Sequence, residues 1–281
     1  MGKILDGNLV ASAVLDEVRA DVEQLALKNK ILCLAVILVG NNPASNIYVR
    51  KKQQACERVG IKSIKFELKE DTEQKELLSL IARLNTDCTV HGILCQLPLP
   101  NHINEQTVLK AIAPEKDVDA FSARISICEA DIAPCTPAGI VRLIEASGAK
   151  LEGSDCVVVG RSNIVGKPLA LLLLQKNATV TVCHSKTKNL ADITKAADIL
   201  IVAAGCPNLI GADMVKDGAV VIDVGINRAA CNRICGDVDF MSVLEKAAYV
   251  TPVPGGVGPM TIAMLMKNTL LAAKQQLGVS F

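Results

Sequence analysis

The chain has 281 residues, half of them apolar, and its 30 basic and 29 acidic side chains leave a formal net charge of +1. This balance argues against a strongly basic surface and so against a nucleic-acid partner, and the absence of Trp, with only two Tyr and four Phe, argues against a platform for base stacking. The length is about twice that of a common domain, which predicts two domains or one large α/β domain.

The 11 cysteines lie mostly within apolar runs, with no C-x-x-C pair among them, and predict buried thiols in a reducing cytosol rather than a disulfide framework. With only three histidines, the composition predicts no zinc or other metal site. The longest apolar run, residues 31–40, is about half of the ~20 residues that a bilayer requires, and the first residues lack the apolar core of a signal peptide. We therefore expect a cytoplasmic protein with no membrane partner.

The first 95 residues alternate between helical and strand patterns. Valine recurs at every fourth position from Val10 to Val22 with charged residues between, which predicts an amphipathic first helix. The continuous apolar run 32–39 predicts a strand buried on both faces. The other predicted elements of this half are a helix over 45–59, a strand over 64–68, a helix that begins at Asp71 with Gln74 as its capping partner, and a strand over 90–94. Such alternation is typical of βαβ units.

A proline-rich stretch between Pro98 and Pro137 separates this half from a second alternation, and we place a domain boundary within it. The elements predicted beyond it are strands over 156–159, 179–183, 199–202 and 220–224, a helix over 166–175, a loop over 252–259 and a C-terminal helix over 260–276. The whole pattern predicts an α/β fold.

A glycine turn follows the first strand of the second half. Gly160, Ser162, Gly166 and Pro168 are spaced G-x-S-x3-G-x-P between that strand and a helix. The spacing departs from G-x-G-x-x-G, yet the missing side chain of Gly160 and the free N–H groups of the helix N-terminus would let a phosphate approach. A dinucleotide site is one interpretation of this turn, and a plain tight turn is the other.

The next strand ends in a run of hydroxyls and bases, His184-Ser185-Lys186-Thr187-Lys188, and Arg161 lies in the glycine turn itself. An NAD site expects an acidic residue near this position to bind the ribose hydroxyls, whereas bases and hydroxyls would accept a ribose 2′-phosphate. The pattern favours NADP over NAD, with a solvated basic loop as the alternative.

Ser45, Tyr48 and Lys52 are spaced i, i+3 and i+7, so they share one face of the second predicted helix. A ring there could stack on a planar ligand while the amine reaches over it; the alternative is an exposed lysine beside a partly buried tyrosine. Gln96 directly follows a buried strand, where residues line ligand crevices, unless it is only a capping amide. Asp117 and Asp119, in the sequence KDVD, are separated by one residue; such acids are usually surface charges, and neither is decisive alone.

The segment TPVPGGVGPMT precedes the last helix and carries three prolines and three glycines: Pro252, Pro254, Pro259, Gly255, Gly256 and Gly258. Prolines fix some torsions and glycines free others, so the segment predicts a shaped loop whose bare backbone could contact a ligand, rather than a floppy linker.

Taken together, these segments resemble one family. SNIYVRKK, GILCQLPLP, KDVD, PCTPAGI, GRSNIVGKP, HSKT, DVGIN and TPVPGGVGPMT are similar, in this order and over nearly the whole chain, to the bifunctional methylenetetrahydrofolate dehydrogenase/methenyltetrahydrofolate cyclohydrolases of the short bacterial type. The resemblance implies NADP-dependent oxidation of 5,10-methylenetetrahydrofolate to 5,10-methenyltetrahydrofolate, followed by hydrolysis to 10-formyltetrahydrofolate.

The resemblance also implies an architecture. It consists of an N-terminal α/β catalytic, folate-binding domain (residues 1–136, completed by the C-terminal helix 262–281) and a Rossmann-like NADP-binding domain (residues 137–261), with the active site in the cleft between them. The family is commonly a homodimer built through the nucleotide domain, so the expected partners are tetrahydrofolate derivatives and a second copy of the chain.

The resemblance further implies a role for each matching residue. Lys52 would be the general acid/base of the cyclohydrolase step, Tyr48 the ring that stacks on the folate, Gln96 the partner of the lysine, and Asp119 the anchor of the pterin amino edge. The cofactor contacts would be Gly160, Arg161, Ser162, His184, Ser185 and Ile226. The substrate contacts would be Ser45, Tyr48, Lys52, Cys95, Gln96, Leu97, Gly255, Gly256, Val257, Gly258 and Pro259.

One position departs from the family pattern, which usually continues KDVD with glycine, whereas this chain has Ala120. If that position has a positive φ, alanine would strain the turn by about 1 kcal/mol and could displace Asp119. Two other functions stay open on the sequence alone: a two-domain NADP dehydrogenase of the shikimate or amino-acid type, and a non-catalytic dinucleotide-binding or redox-sensing protein.

Overall fold

The structure, a computed structural model, describes residues 2–121, 132–228 and 234–279. The chain divides into two compact units. Ala13–Cys135 and Ile262–Phe281 form the Lys52 unit, and Met1–Ser12 and Thr136–Thr261 form the Gly160 unit. The predicted first domain included residues 1–12, and this assignment is corrected: they lie with the Gly160 unit because Lys3 and Ile4 form a strand that pairs with Tyr249 and Val250.

The Lys52 unit is built around a short parallel sheet. Its strands are β2 (Cys33–Val39), β3 (Lys62–Leu68) and β4 (Gly92–Cys95), in the order β3-β2-β4. Its helices include α2 (Pro43–Val59), α3 (Gln74–Thr86) and α4 (Glu105–Ala111), and α1 (Gly7–Leu27) belongs to this unit from Ala13 onward. The central strand β2 is buried along its whole length, which confirms the strand predicted from its unbroken apolar run.

Local chemistry sets the ends of α2. The Asn42 side chain accepts hydrogen bonds from the backbone N–H groups of Ala44 (2.9 Å) and Ser45 (3.2 Å), and Gly60 ends the helix at φ 77°. The predicted start of α3 at Asp71 is wrong, since the helix begins at Gln74. The Gln74 side chain accepts the backbone N–H of Asn104 at 2.7 Å, so it serves a long-range contact instead of a capping box.

Two helices begin within the stretch that the sequence predicted to be only a proline-rich boundary between domains. α4 covers Glu105–Ala111, and α5 covers Cys135–Ala146. Pro137 is compatible with α5 because it lies in the first turn, where a backbone N–H has no partner within the helix.

The Gly160 unit contains, among the described residues, a parallel six-stranded sheet in the order β1-β11-β8-β7-β5-β6. These strands are β1 (Lys3–Ile4), β5 (Asp155–Val159), β6 (Thr179–Cys183), β7 (Ile199–Val202), β8 (Val220–Asp223) and β11 (Tyr249–Val250). The unit also holds α5 after its first residue, α6 (Gly166–Gln175), α7 (Leu190–Lys195), α8 (Phe240–Leu244) and the antiparallel pair β9 (Asn227–Arg228) and β10 (Ile234–Cys235).

The order in which the chain adds strands to this parallel sheet reverses at β5. The chain runs from β5 outward to β6 and then returns to β7 on the other side of β5. In open α/β sheets such a reversal opens a crevice at the carboxyl ends of the strands, and ligands bind there. We therefore expect the residues that follow β5, β6, β7 and β8 to line a ligand crevice.

The last helix, α9 (Val257–Leu277), begins earlier than predicted. Val257, Gly258 and Pro259 were expected in a loop, but they form its first turn, where a proline at the third helical position is tolerated. Residues of α9 up to Thr261 belong to the Gly160 unit and those from Ile262 to the Lys52 unit. In the described parts of the chain, no helix has both the length and the apolar character needed to cross a bilayer.

Candidate active site

Lys52 and Gln96 form a direct pair in the Lys52 unit. Lys52 lies on α2 with 7 % of its surface exposed, and its Nζ donates a hydrogen bond to Oε1 of Gln96 at 3.1 Å. The Gln96 backbone N–H donates to the carbonyl of Ile37 (2.9 Å), which continues the pairing of β4 with β2, and its Nε2 donates to the carbonyl of Leu97 (2.7 Å). The exposed-lysine alternative is thereby excluded, and the two predicted residues are brought together.

Ser45 and Tyr48 flank this pair on α2, and they differ in exposure. Ser45 is 2 % exposed, and its hydroxyl has no hydrogen-bond partner within the described residues, whereas Tyr48 is 38 % exposed. A buried hydroxyl without a partner is rare and calls for a ligand or a water molecule. The exposed ring of Tyr48 is free to stack on a planar molecule.

Asp119 and Lys52 both act on one buried thiol, that of Cys135. Burial raises the pKa of this thiol well above its usual range, the charge of Asp119 and a hydrogen bond with it raise it further, and the charge of Lys52 lowers it. The Cys135 thiol also donates to the carbonyl of Val118 at 3.3 Å. Lys52, Gln96 and Asp119 thus belong to one unit, and the site role of each stays a prediction.

Two residues near Asp119 were not among the predicted site residues. One is Cys135, which the sequence analysis quoted only within the motif PCTPAGI. The other is Asn268 on α9, 2 % exposed, whose Nδ2 donates to the carbonyls of Val118 (2.9 Å) and Ala133 (2.8 Å). The available signal was the polar triplet Lys267-Asn268-Thr269 between two apolar stretches of α9, because a polar group that becomes buried requires a partner.

Ala120 has a φ of 55°, the left-handed conformation that favours glycine. Its N–H donates to the carbonyl of Asp117 at 3.2 Å, so Asp119 lies inside a tight turn. The strain that the sequence analysis attached to a positive φ at this position is therefore present, and the turn nevertheless keeps Asp119 beside Cys135.

The predicted substrate contacts Cys95 and Leu97 differ in accessibility. Cys95 is 3 % exposed and packs in the hydrophobic core around β2, where burial raises its pKa to about 12. Its side chain therefore faces the core, and only its backbone could contact a ligand. Leu97 is half-buried next to Gln96. Ligand contact by either residue stays a prediction.

In the Gly160 unit, the turn between β5 and α6 has no room for a side chain at Gly160 or Gly166. Gly160 has a φ of 134°, and a Cβ there would collide with the carbonyl oxygen of Ala203. A Cβ on Gly166 would likewise collide with the carbonyl oxygen of Gly160. Strand β5, turn and helix α6 are therefore packed backbone against backbone, and this is the arrangement that allows a phosphate to approach the helix N-terminus.

Ser162 organises the start of α6. Its Oγ accepts hydrogen bonds from the N–H groups of Val165 (3.1 Å) and Gly166 (3.3 Å), and the hydroxyl keeps its own proton available for donation. Arg161, the residue before it, is exposed. A guanidinium at this position can bind a phosphate through two parallel hydrogen bonds.

The end of β6 lies next to this turn, since the Gly160 N–H donates to the carbonyl of Cys183 at 2.9 Å. His184 is half-buried, and its Nδ1 accepts the N–H of Lys186 at 3.2 Å, which shapes a turn that leaves Ser185 exposed. The turns that carry Arg161 and Ser185 thus follow neighbouring strands at the point where the sheet order reverses. Ile226 follows β8 at the same sheet edge and is 58 % exposed.

The proline-glycine segment is shaped, as the sequence predicted. Gly255 has a φ of 108°, and its carbonyl accepts a hydrogen bond from Nδ2 of Asn8 at 3.4 Å. Gly256 and Val257 are buried, whereas Gly258 and Pro259 are half-buried in the first turn of α9. Ligand contact by Gly255, Gly258 and Pro259 stays a prediction, and for Gly256 and Val257 it would be limited by their burial.

Within residues 2–121, 132–228 and 234–279, no three His, Cys, Asp or Glu side chains come together in a cluster that could hold a metal ion.

The sequence matches two family models. Residues 5–119 match the model described as the catalytic domain of tetrahydrofolate dehydrogenase/cyclohydrolase, and residues 134–277 match its NAD(P)-binding domain. Among curated proteins, the bifunctional protein FolD of Agathobacter rectalis is 58 % identical over 279 residues, which cover 98 % of this chain and 100 % of the relative.

Solved structures agree with these matches. The crystal structure of the bifunctional enzyme FolD from Campylobacter jejuni has a TM-score of 0.94 and 51 % identity, covering 98 % of this chain and 99 % of that one. The FolD of Trypanosoma brucei, solved with NADP cofactor and an inhibitor, has a TM-score of 0.92 and 38 % identity, covering 98 % of both chains. The chain belongs to the tetrahydrofolate dehydrogenase/cyclohydrolase family.

Proposed function

We propose that this protein oxidises 5,10-methylenetetrahydrofolate with NADP and hydrolyses the 5,10-methenyl product to 10-formyltetrahydrofolate. The observation that carries the proposal is the buried Lys52 amine held 3.1 Å from the Gln96 amide oxygen. A lysine withdrawn from solvent and bound to a neutral partner is a proton carrier rather than a surface charge. A dehydrogenase of another substrate class needs no such pair.

The residues near Lys52 suit a folate. The exposed ring of Tyr48 offers a face on which a pterin can stack, and the Asp119 carboxylate can accept hydrogen bonds from the pterin amino group. The Ser45 hydroxyl lacks a partner within the described residues, and a bound ligand or water would satisfy it. These contacts hold the methylene bridge for hydride removal, for which correct placement supplies a large part of the rate.

The Gly160 unit fits an NADP molecule. The glycine turn leaves room for a pyrophosphate at the start of α6, and Arg161 and Ser185 are exposed on adjacent turns where a ribose 2′-phosphate would be bound. When bound there, NADP would supply the acceptor for the hydride. Ile226 supplies an exposed apolar side chain at the same sheet edge for the nicotinamide side.

The hydrolytic step is acid–base chemistry by Lys52. A water oxygen adds to the methenyl carbon, and its proton passes to Nζ of Lys52 in the neutral state. The bond from that carbon to N5 of the folate then breaks as Lys52 returns the proton to N5, the remaining hydroxyl proton is released to solvent, and the formyl group stays on N10. Gln96 orients the amine through its oxygen and, unlike a carboxylate, leaves it able to lose its charge.

A homodimer in the cytoplasm completes the proposal. β6 lies at one edge of the sheet and exposes Val182 (39 %), and α6, which packs against β6, exposes the apolar residue Leu174 (52 %). An open strand edge with apolar neighbours supports pairing with a second copy. The cysteines in the described ranges are free thiols, in keeping with a reducing compartment. Sedimentation should show a dimer that Val182→Asp dissociates.

The test of the proposed function uses two variants of adjacent residues. Lys52→Met should abolish cyclohydrolase activity, followed as the loss of methenyltetrahydrofolate absorbance, while Lys51→Met should leave it unchanged because Lys51 is exposed. NADPH formation from methylenetetrahydrofolate, monitored in the same cuvette, reports the dehydrogenase. Full cyclohydrolase activity in Lys52→Met, or no activity of either kind in the native protein, would refute the proposal.

A further inference from the structure

Asp237 has a fully buried carboxylate that accepts four hydrogen bonds. Oδ2 accepts the backbone N–H groups of Ala204 (2.7 Å) and Gly205 (2.8 Å). Oδ1 accepts the N–H of Cys206 (2.9 Å) and Nδ2 of Asn227 (2.7 Å). Residues 204–206 follow β7, and Asn227 follows Ile226 after β8. One side chain thus joins two loops that leave adjacent strands at their carboxyl ends.

A second carboxylate holds Asp237 in place. Asp223, at the end of β8, accepts the N–H groups of Gly225 (2.9 Å), Asp237 (2.9 Å) and Val238 (3.0 Å). The fit is close, because a Cβ on Gly225 would collide with the Asp237 carboxylate and a Cβ on Gly236 with the Asp223 carboxylate. The backbone that carries Ile226 is therefore fixed on one side by Asp223 and on the other by Asp237.

We propose that Asp237 is a positioning residue for hydride transfer: it fixes loop 204–206 and the Ile226–Asn227 backbone in one arrangement, and so sets the surface that meets the nicotinamide ring. The inference rests on the proposed function, in which Ile226 contacts the nicotinamide side. It assigns the 2′-phosphate to Arg161 and the placement of the reactive ring to Asp237.

The hydrogen-bond pattern requires a carboxylate at this position. Each Asp237 oxygen faces two N–H donors, so an amide in its place would turn an NH₂ group toward one pair of them. If that group faces Asn227, the Asn227 amide can rotate to accept from it, but the backbone N–H of Cys206 cannot change. A buried donor would stay unsatisfied, and the loop would move to relieve it.

The experiment takes advantage of the two activities of one chain. Asp237→Asn should lower kcat of the dehydrogenase about 10- to 100-fold with little change in KM for NADP, because a small displacement of the reacting groups lowers the rate by this order. The primary isotope effect with substrate deuterated at the methylene bridge should rise as hydride transfer becomes limiting. Cyclohydrolase activity, which uses no NADP, should stay within about twofold of the native protein.

Two further variants keep the test decisive. Asn227→Ala removes one of the four donors from a half-buried site and should lower kcat in the same direction by less, even if Asp237→Asn folds poorly. Asp239→Asn makes the same chemical change at an exposed neighbour that caps no helix N–H, and should have no effect. An unchanged kcat and isotope effect in Asn227→Ala and Asp237→Asn would overturn the inference, as would an equal loss of both activities in Asn227→Ala. A native protein without either activity would instead overturn the proposed function.

Discussion

The Gln96 amide meets the Lys52 ammonium with its oxygen because the other end of the amide is already engaged: Nε2 donates to the carbonyl of Leu97 at 2.7 Å, and Oε1 is left to accept from Nζ at 3.1 Å. The lysine thus has a partner that orients it without carrying charge. A carboxylate of the same length would favour the charged amine and would repel the Leu97 carbonyl.

Gln96→Glu should therefore lower cyclohydrolase activity about tenfold or more near neutral pH, because an opposite charge close to Lys52 stabilises its protonated form. Activity should recover as the pH rises, so the pH–rate profile shifts toward alkaline values. Gln54→Glu adds the same charge on an exposed position of α2 and is the matched control. A profile that does not shift would contradict the role of the neutral partner.

Arg161→Ala should raise KM for NADP more than KM for NAD, because the lost guanidinium would bind a phosphate that only NADP carries. A charge-assisted pair of this kind contributes about 1.5–3 kcal/mol, which corresponds to a KM ratio of roughly 10 to 100. Steady-state dehydrogenase kinetics with both cofactors measure the ratio. Lys195→Ala removes a positive charge from exposed α7 and controls for long-range electrostatics. Equal effects on both cofactors would refute the assignment.

Ala120→Gly should change the free energy of unfolding by less than about 1 kcal/mol. Relief of the left-handed strain should stabilise the folded state by roughly 1–2 kcal/mol. Two effects oppose this gain: loss of a buried methyl costs about 0.8 kcal/mol, and the greater freedom of the unfolded chain costs a further 0.4–1 kcal/mol or so. Ala170→Gly, at a buried position inside α6, removes a buried methyl and frees the unfolded chain but relieves no strain. This variant should therefore destabilise the protein by about 1–2 kcal/mol. Urea unfolding of both variants compares them; equal destabilisation would contradict the strain at Ala120.

Asp223 should make the stability of the protein depend on pH in an unusual direction. Burial raises its pKa to about 6, against the opposing effect of the backbone N–H groups that it accepts. A folded-state pKa above the unfolded value means that the native state binds the extra proton. Its contribution is therefore fully present below about pH 4 and is lost as the pH rises through about 6.

The difference in unfolding free energy between the native protein and Asp223→Asn isolates this contribution, because the other titrating groups cancel. It should fall by about 3 kcal/mol between pH 4 and pH 6 and then stay constant. Carboxyl-carbon NMR of Asp223 should show a midpoint near pH 6. A midpoint at its ordinary value, near 4, with a flat difference curve, would contradict the effect of burial.

The sequence predicted the strands of this fold better than its helix starts. β2 is an unbroken apolar run, and such a run has few alternatives to a doubly covered strand. The start of α3 was wrong because Gln74 bonds to Asn104, which is distant in sequence, and no local pattern encodes such a contact. α4 was missed because its short pattern lies among prolines that suggested an irregular segment.

The same distinction applies to the site. Lys52 and Gln96 could be singled out as candidates because each lies on a regular element, one on a helix face and one at the end of a buried strand. The pattern left a plain structural alternative open for each, and their roles came only from the resemblance to the family. Cys135 and Asn268 could not, since their relation to Asp119 depends on contacts between segments far apart in the chain. Asp237 escaped notice because only the folded sheet gathers its four donors.

The first turn of helix α9 belongs to the Gly160 unit, and the remainder of the helix belongs to the Lys52 unit. During synthesis on the ribosome, the segment that carries Lys52 emerges well before residues 262–281, which belong to the same unit. The Lys52 unit therefore cannot acquire its full complement of residues until residues 262–281 have been translated. Nascent chains stalled before residue 262 should accordingly be protease-sensitive in their N-terminal half.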